Sequence, residues 1–330
     1  MKDENIFRTV IKINESAKKI KISDYILCVG SCFAENIGKR LNDYCFECCI
    51  NPCGPVFNPI SLINILKRIT ENKPFTKNAL FFADGMWHSW DHHSRFSNES
   101  KESCLKIINQ KYKDACEIYR KCNTLILTMG TAFVYRLKSN NKIVSNCHKQ
   151  PHNIFIRECL TIKEIVDEYS NFFNKIFKEK PALNCIITIS PVRHLRDNPH
   201  ENFISKSILA CAIEEILKMF PILYYFPTYE IMMDDLRDYR FYDKDMVHPN
   251  EIALDYIWNK FVDACFDDKA KNFVLEYSNI LSAMEHNILH KNESSKKFII
   301  SQLAKLREIK KQYPEAKIKK AEKYFKELLR

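Results

Sequence analysis

A ten-residue stretch, residues 25–34, constrains the fold of this chain more than any other. Its apolar first half ends abruptly at Gly30-Ser31, and apolar residues then recur at the spacing of one helix face: Phe33, Ile37 and Leu41. The pattern predicts a buried parallel strand, a tight turn and a helix that packs back against the sheet. In such a unit the residue after the turn lies at the carboxyl edge of the sheet, where open α/β folds bind ligands. Ser31 is therefore a candidate nucleophile, and the alternative interpretation is that it only caps the helix.

The same alternation of buried strands and amphipathic helices continues along the chain. Further strands are predicted at 45–50, 124–130, 184–191 and 222–226, and helices at 59–70, 98–121, 161–178, 203–219 and 249–265. Residues 74–97 are predicted to form an irregular loop rich in aromatic residues and histidine. We therefore expect a three-layer α/β/α sandwich with a mostly parallel sheet over residues 1–265. A helical, lysine-rich extension over residues 266–330 is expected to lie at the periphery of that core.

The positive charge of the chain is concentrated at one end. The net charge is +10, and residues 291–330, with 13 basic and 5 acidic side chains, account for +8 of it. The rest of the chain is nearly neutral, so we expect no nucleic-acid partner. The alternative is nucleic-acid binding through the basic extension alone, which would weaken steeply with salt.

Cysteine content and hydropathy predict the cellular location. The chain has 14 cysteines, and its charged first residues lack the apolar core of a signal peptide. Free thiols in a reducing compartment are the usual explanation of such a composition. No apolar run approaches the roughly 18 residues of a membrane span. We therefore expect a cytoplasmic protein with no transmembrane segment.

A second informative stretch lies near residue 245. Asp245 and His248 are three residues apart, so a local turn would let the carboxylate hold one nitrogen of the imidazole. The other ring nitrogen would then act as a general base, and the positive end of the helix that starts at Pro249 would keep the ring neutral. The alternative interpretation is an ordinary capped turn.

Taken together, these stretches resemble a known enzyme group, the SGNH (GDSL-like) hydrolases, in the order serine first and Asp-x-x-His last. More specifically, Gly30-Ser31-Cys32-Phe33-Ala34 is similar to the motif that names the GSCFA family, a relative of that superfamily. The resemblance covers about residues 6–265 and includes further segments at 51–54, 58–59, 129–133, 190–194 and 245–249.

The resemblance implies a serine esterase or acyltransferase with an SGNH-like fold. Ser31 would be the nucleophile, His248 its general base and Asp245 the residue that orients the base. The N–H groups of Ser31 and Gly54 would bind the oxyanion. Cys32 is expected to turn inward with the helix. The substrate would be a small-molecule or glycan ester, such as an acetylated sugar, and the chemistry needs no cofactor.

One position departs from the superfamily pattern. Members usually carry Gly-x-Asn-Asp after the third strand, and the asparagine amide supplies a third oxyanion donor, but here Ala132 follows Gly130-Thr131. Losing one such donor costs about 3–4 kcal/mol of transition-state stabilisation. Thr131 and Asn58 are the candidate substitutes, although Asn58 is also a helix cap by its position. The second hypothesis is therefore a catalytically weak carbohydrate-binding module that keeps the fold.

The remaining candidates are weaker. His88, Asp91, His92 and His93 are metal ligands by type, but no second cluster accompanies them at zinc spacing, so no metal is expected. They more simply form a polar loop beside the site, in which Asp91 or His93 contacts substrate. The cysteines of residues 45–53 are expected to be small core residues rather than zinc ligands. Arg193, which follows a strand, is a candidate for binding an anionic group, with a solvated turn as the alternative.

Overall fold

The computed structural model describes residues 9–194, 197–285 and 292–329. Its strands are β1 (Tyr25–Gly30), β2 (Glu47–Ile50), β3 (Leu80–Ala83), β4 (Met86–Ser89), β5 (Thr124–Met129), β6 (Phe133–Leu137), β7 (Ile143–Val144), β8 (Phe155–Cys159), β9 (Asn184–Ile189) and β10 (Leu223–Tyr225). Its helices are α1 (Cys32–Asp43), α2 (Pro59–Thr70), α3 (Lys101–Lys121), α4 (Ile162–Glu179), α5 (Pro199–Met219), α6 (Thr228–Glu230), α7 (Glu251–Cys265), α8 (Asp268–Glu285), α9 (Glu293–Gln312) and α10 (Lys319–Leu328).

The central sheet has five parallel strands in the order β10-β9-β5-β1-β2. After β1 the chain adds β2, which forms one edge of the sheet. The later strands β5, β9 and β10 are then added in sequence on the opposite side of β1. The crevice between β1 and β5 is therefore the topological switch point of the sheet, where folds of this kind bind their ligands. Gly30 pairs with Thr128 in this register, so the carboxyl ends of both strands meet at the same place.

Helices cover both faces of this sheet. Leu27 and Val29 of β1 face the core that the sheet shares with α2, α3, α4 and α5. Ile26 and Cys28 face the opposite core, which contains α1 and α7. A strand that is buried on both faces needs apolar residues at every position, which explains its continuous apolar run. The three-layer α/β/α sandwich is confirmed.

Residues 74–97 were expected to be irregular, and this expectation is wrong. They contain the antiparallel hairpin β3–β4. Its turn is Asp84-Gly85, and both residues have positive φ, as a two-residue hairpin turn with the correct twist requires. Asp-Gly between two short runs rich in aromatic residues is a hairpin signal present in the sequence itself. A second antiparallel sheet, β7-β6-β8, lies in the long connection after β5.

The C-terminal extension is helical as expected, but it does not lie at the periphery. Phe273, Leu306 and Phe325 are completely buried and belong to the same apolar cluster as Phe33 of α1 and Trp258 of α7. The charged residues of α8, α9 and α10 lie on the outer side of each helix, so a high lysine content does not prevent burial of the inner side. Residues on both sides of position 265 thus share one core. No helix in the described parts of the chain has the length and apolarity of a membrane span.

Candidate active site

The turn between β1 and α1 depends on a glycine. Gly30 has φ +147°, and a Cβ added there would lie 2.2 Å from the carbonyl oxygen of Thr128. Only glycine therefore lets β1 approach β5 this closely at the switch point. The next amide, Ser31 N–H, donates to the same Thr128 oxygen at 3.2 Å. The close approach of the two strands thus sets the position of Ser31.

This contact gives a direct test. Gly30→Ala is expected to destabilise the protein by at least about 3 kcal/mol, because the added Cβ overlaps backbone and the conformation is strained. Gly85→Ala is the matched control, since Gly85 also has positive φ but an added Cβ there meets nothing within 4 Å. Its cost should be the backbone strain alone, about 1–2 kcal/mol. Urea unfolding measures both, and equal losses would show that the approach of β1 to β5 is not tight.

Asn51 holds the same turn from its other side. Its side-chain Oδ1 accepts from Gly30 N–H at 2.8 Å, and its Nδ2 donates to the Ser31 carbonyl at 3.5 Å. Asn51 is buried and has φ +40°, a conformation that asparagine tolerates better than most residues. Asn51 lies in a segment that carries the family resemblance, but its role in holding the turn is not evident from the sequence. Its position directly after β2, beside the switch point, was the available signal.

The Asp245 carboxylate holds the His248 side chain as expected. Oδ2 of Asp245 lies 2.6 Å from Nδ1 of His248, and Oδ1 accepts from the amides of Val247 and His248 at 2.9 Å. The amide of His248 first, and then its ring and the amide of Val247, lower the pKa of Asp245 to about 2. The intervening Met246 closes this turn with φ +57°. The Asp245 carboxylate thus fixes the orientation of the His248 imidazole.

The other nitrogen of His248 does not meet Ser31. Nε2 lies 3.8 Å from Sγ of Cys32. The hydroxyl of Ser31 instead accepts from the Phe33 amide at 3.3 Å and caps α1. Within the described residues, no hydrogen bond joins Ser31 to His248. The expectation that Cys32 turns inward is wrong, because Cα–Cβ bonds in a helix tilt toward its N-terminus, and the N-terminus of α1 lies at this edge of the sheet.

Both N–H groups expected to bind the oxyanion have protein partners. Gly54 N–H donates to the carbonyl of Asn51 at 2.7 Å, and Ser31 N–H donates to Thr128. Gly54 has φ +85°, and a Cβ added there would lie 2.3 Å from Cβ of His93. The observed reason for a glycine at position 54 is therefore the turn and its packing against His93.

The candidate substitutes for the missing asparagine are also engaged. Oδ1 of Asn58 accepts from Ser61 N–H at 2.8 Å, and its Nδ2 donates to Oγ of Ser61, so the helix-cap interpretation is confirmed. The hydroxyl of Thr131 lies 3.0 Å from that of Ser205, and Gly130 N–H donates to the Phe57 carbonyl. The segment after β5 is thus tied by protein groups to α5 and to the residues that precede α2.

A buried lysine, which sequence analysis missed, completes this arrangement. Nζ of Lys206 donates to the carbonyls of Gly130 and Ser190, each at 2.7 Å, and the residue is only 4% exposed. Burial, and then the charge of Arg193, lower the pKa of Lys206 to about 7. Burial raises the pKa of Cys32, and the charge of Lys206 opposes that shift. The sequence does contain a signal for this burial, because Lys206 lies on the same helix face as the buried Leu209 and Ile213.

Lys206 should make stability depend on pH. Its pKa is lowered in the folded protein, so between about pH 7 and pH 10 the unfolded chain binds more protons and the contribution of Lys206 to stability rises with pH. The unfolding free energy of wild type minus that of Lys206→Met should therefore rise by up to about 1.4 kcal/mol per pH unit over this range. Buried thiols and tyrosines contribute equally to both proteins and cancel. The exposed Lys218→Met is the control, and a pH-independent difference for Lys206→Met would contradict the assignment.

The polar loop of residues 88–93 has structural partners. His88 contacts the Ser97 hydroxyl at 2.6 Å, Asp91 pairs with Lys142 at 2.8 Å, and His93 accepts from Arg95 N–H at 3.2 Å. Burial lowers the pKa of His92 to about 3. Across the described ranges, no group of three or more His, Cys, Asp or Glu side chains has the geometry to hold a metal ion. Cys45, Cys48 and Cys53 pack against or within the two apolar clusters, as expected of core residues.

A cleft of about 590 Å³ lies beside His248. Among its lining residues are Arg193, His194, Tyr239, Tyr242 and Val247. The ring of His194 lies 6.3 Å from that of His248, which connects the cleft to the Asp245–His248 pair. In the part of the chain that the structure describes, the Arg193 guanidinium has no ion-pair partner, so it contributes an uncompensated positive charge to this cleft.

Comparison with known proteins identifies the family. The GSCFA family model matches residues 25–261. No curated protein and no solved structure matches the chain. The matched region includes both the turn after β1 and the Asp245–His248 pair and spans well over half of the sequence, and this chain therefore belongs to the GSCFA family.

Proposed function

We propose that this chain is an acyl-transfer enzyme, an ester hydrolase or O-acyltransferase that forms a covalent acyl-enzyme on the turn joining β1 to α1. The observation that carries the proposal is the Asp245–His248 pair, whose free ring nitrogen is directed at that turn. Asp245 holds the proton on Nδ1, so Nε2 is left with its lone pair facing the turn. Covalent acyl transfer requires at least a nucleophile and a general base in contact with it.

The surroundings of the pair support the same chemistry. The turn lies at the switch point of the sheet and next to the cleft that contains Arg193 and two tyrosines. The same cleft is lined by Tyr239 and Tyr242 and by the polar side chains of Asp197 and Asn202. This mixture suits a sugar ring with its hydroxyls, as in the acetylated sugar or glycan substrate that the family resemblance implies. The turn carries two nucleophiles, Ser31 and Cys32. The resemblance assigns the role to Ser31, and catalytic hydrogen bonds often form only in the substrate complex.

Hydrolysis of p-nitrophenyl acetate tests the proposal without presupposing which nucleophile reacts. Wild type should release nitrophenol faster than the buffer alone, and the double variant Ser31→Ala, Cys32→Ala should not. Cys211→Ala is the control, because Cys211 is an exposed thiol on α5 far from the turn in sequence. Turnover that survives in the double variant would contradict the proposal.

The second candidate is a binding module for carbohydrate without catalytic activity. It is favoured by the buried Ala132 at the position of the usual asparagine and by the protein partners of the Ser31 and Gly54 N–H groups. This candidate predicts that folded wild-type protein binds acetylated oligosaccharide in calorimetry but does not hydrolyse p-nitrophenyl acetate. Hydrolysis that depends on the turn would exclude it.

A further inference from the structure

The thiol of Cys32 occupies the place in which a base-activated nucleophile is expected. Sγ of Cys32 lies 3.8 Å from Nε2 of His248, and Nδ1 of the same ring lies 2.6 Å from Asp245. A sulfur contact of this length is within the range of a weak S–H···N hydrogen bond. Thiol, imidazole and carboxylate therefore stand in series, which is the arrangement of a nucleophile, its base and the group that orients the base.

Ser31 is engaged differently. Its hydroxyl oxygen accepts the Phe33 amide at the N-terminus of α1, and the residue is 1% exposed. Cys32 is only partly buried. In the described residues the Ser31 hydroxyl makes this capping bond and no hydrogen bond to His248, whereas the Cys32 thiol already lies against the base.

We propose that Cys32, and not Ser31, carries the acyl group, so that the enzyme works through a thioester on Cys32. This inference rests on the proposed acyl-transfer function and names the atom on which the intermediate forms. Cys32 is the first residue of α1, where the positive end of the helix and the nearby charge of Lys206 both favour negative charge on sulfur.

The reaction balances without any further reactant. Nε2 of His248 accepts the thiol proton as sulfur attacks the ester carbonyl. The tetrahedral intermediate then expels the alkoxide, which takes the proton back from the imidazolium and leaves as the alcohol. In the second half, His248 deprotonates water or an acceptor alcohol, which attacks the Cys32 thioester. The C–S bond then breaks, the acid or new ester leaves, and the thiolate takes the proton back from the imidazolium to regenerate the thiol. Because burial raises the pKa of Cys32, the resting group is a thiol and needs this base.

The test identifies the acylated atom directly. Full-length Cys211→Ala protein, which lacks the exposed thiol, is mixed with p-nitrophenyl acetate, quenched in acid and mapped by peptide mass spectrometry. Acetate is expected on Cys32, and neutral hydroxylamine should remove it, because thioesters react under conditions that leave oxygen esters intact. Added in the same background, Cys32→Ser should lower the initial acylation rate at least about tenfold, and Ser31→Gly, which largely keeps the helix cap, should change it less than about threefold.

The outcomes separate the two proposals. Acetate on Ser31 that resists hydroxylamine and persists in Cys32→Ala would overturn the role of Cys32 but leave the acyl-transfer function standing. If folded protein with both residues present accumulates no adduct and hydrolyses no ester, both proposals fall. Because the mapping needs neither variant at position 31 nor one at position 32, a folding defect in those variants leaves the result intact. A thermal unfolding curve of each protein records its folding.

Discussion

Removing the His248 imidazole is expected to lower kcat/KM for p-nitrophenyl acetate by about 100-fold or more. A positioned general base typically contributes 10²–10⁴-fold, and within the described chain His248 is the histidine whose ring nitrogen contacts a nucleophile of the turn after β1. The measurement is the initial rate of nitrophenol release by His248→Ala and wild type at equal concentration. A variant that keeps most of the wild-type rate would remove His248 from the mechanism.

Asp245→Asn should lower kcat/KM by about 10–100-fold, less than the loss of the ring, because the imidazole stays but its proton is no longer held on Nδ1. The matched control is Asp243→Asn, since the Asp243 carboxylate is exposed and accepts the amide of its neighbour Lys244. Its rate should stay within about twofold of wild type, as is usual for surface substitutions. Equal losses of kcat/KM in both variants would indicate that removing any negative charge from this turn lowers activity.

The pKa of Asp245 adds a pH test to the same series. This pKa is lowered to about 2, so the carboxylate is charged at every pH from 4 to 9 and can lose its hold on the ring only near pH 2. A fall in wild-type activity between pH 7 and pH 4 therefore cannot come from protonation of Asp245. The midpoint of the acid side of the pH profile should be the same in wild type and in Asp243→Asn. A midpoint that differs would show that the Asp243 carboxylate takes part in this fall in activity.

The second large effect concerns the C-terminal helices. Phe325→Ala is expected to destabilise the whole protein by about 3–5 kcal/mol, as is usual for a fully buried phenylalanine. Phe325 is 0% exposed and lies in one apolar cluster with Phe273 and with residues of α1. The neighbouring Lys326→Ala is the matched control, because Lys326 is exposed, and its effect should stay within about 0.5 kcal/mol. Urea unfolding followed by far-ultraviolet circular dichroism measures both.

Deleting residues 291–330 should have a larger effect still. It removes Leu306, Tyr313 and Phe325 from the cluster and exposes the apolar side of α8 to water. We expect the shortened chain to be insoluble or to lose cooperative unfolding, because a loss of several buried aromatic and aliphatic side chains exceeds the usual 5–15 kcal/mol stability of a domain. A shortened chain with an unchanged melting temperature would show that these helices form a separate unit.

The local features of this protein could be predicted from the sequence. The strand, turn and helix of residues 25–43 follow from an apolar run, a Gly-Ser and a helical repeat, all of which act over a few residues. The caps of α2 by Asn58 and of α4 by the box of Thr161 and Glu164 are equally local. The Asp245–His248 contact was predicted for the same reason, since a three-residue turn brings both groups together.

The features that the sequence did not show depend on contacts between distant segments. An N–H at the switch point is free only if no carbonyl of the neighbouring strand lies within hydrogen-bond distance. The Ser31 N–H is not free, because the carbonyl of Thr128 in β5 accepts it. The burial of Lys206 depends on the ends of β5 and β9. The burial of the inner sides of α8, α9 and α10 depends on the apolar cluster that they share with residues of α1 and α7.

The sequence by itself therefore determined the order of strands and helices in the central sandwich, the switch-point turn and the pairing of Asp245 with His248, because hydrophobic periodicity, caps and short turns are properties of neighbouring residues. Only the tertiary structure decided that the imidazole meets Cys32 rather than Ser31. Positions 31 and 32 are adjacent in the chain, and the direction in which α1 starts at the edge of the sheet selects the side chain that faces a residue more than 200 positions away.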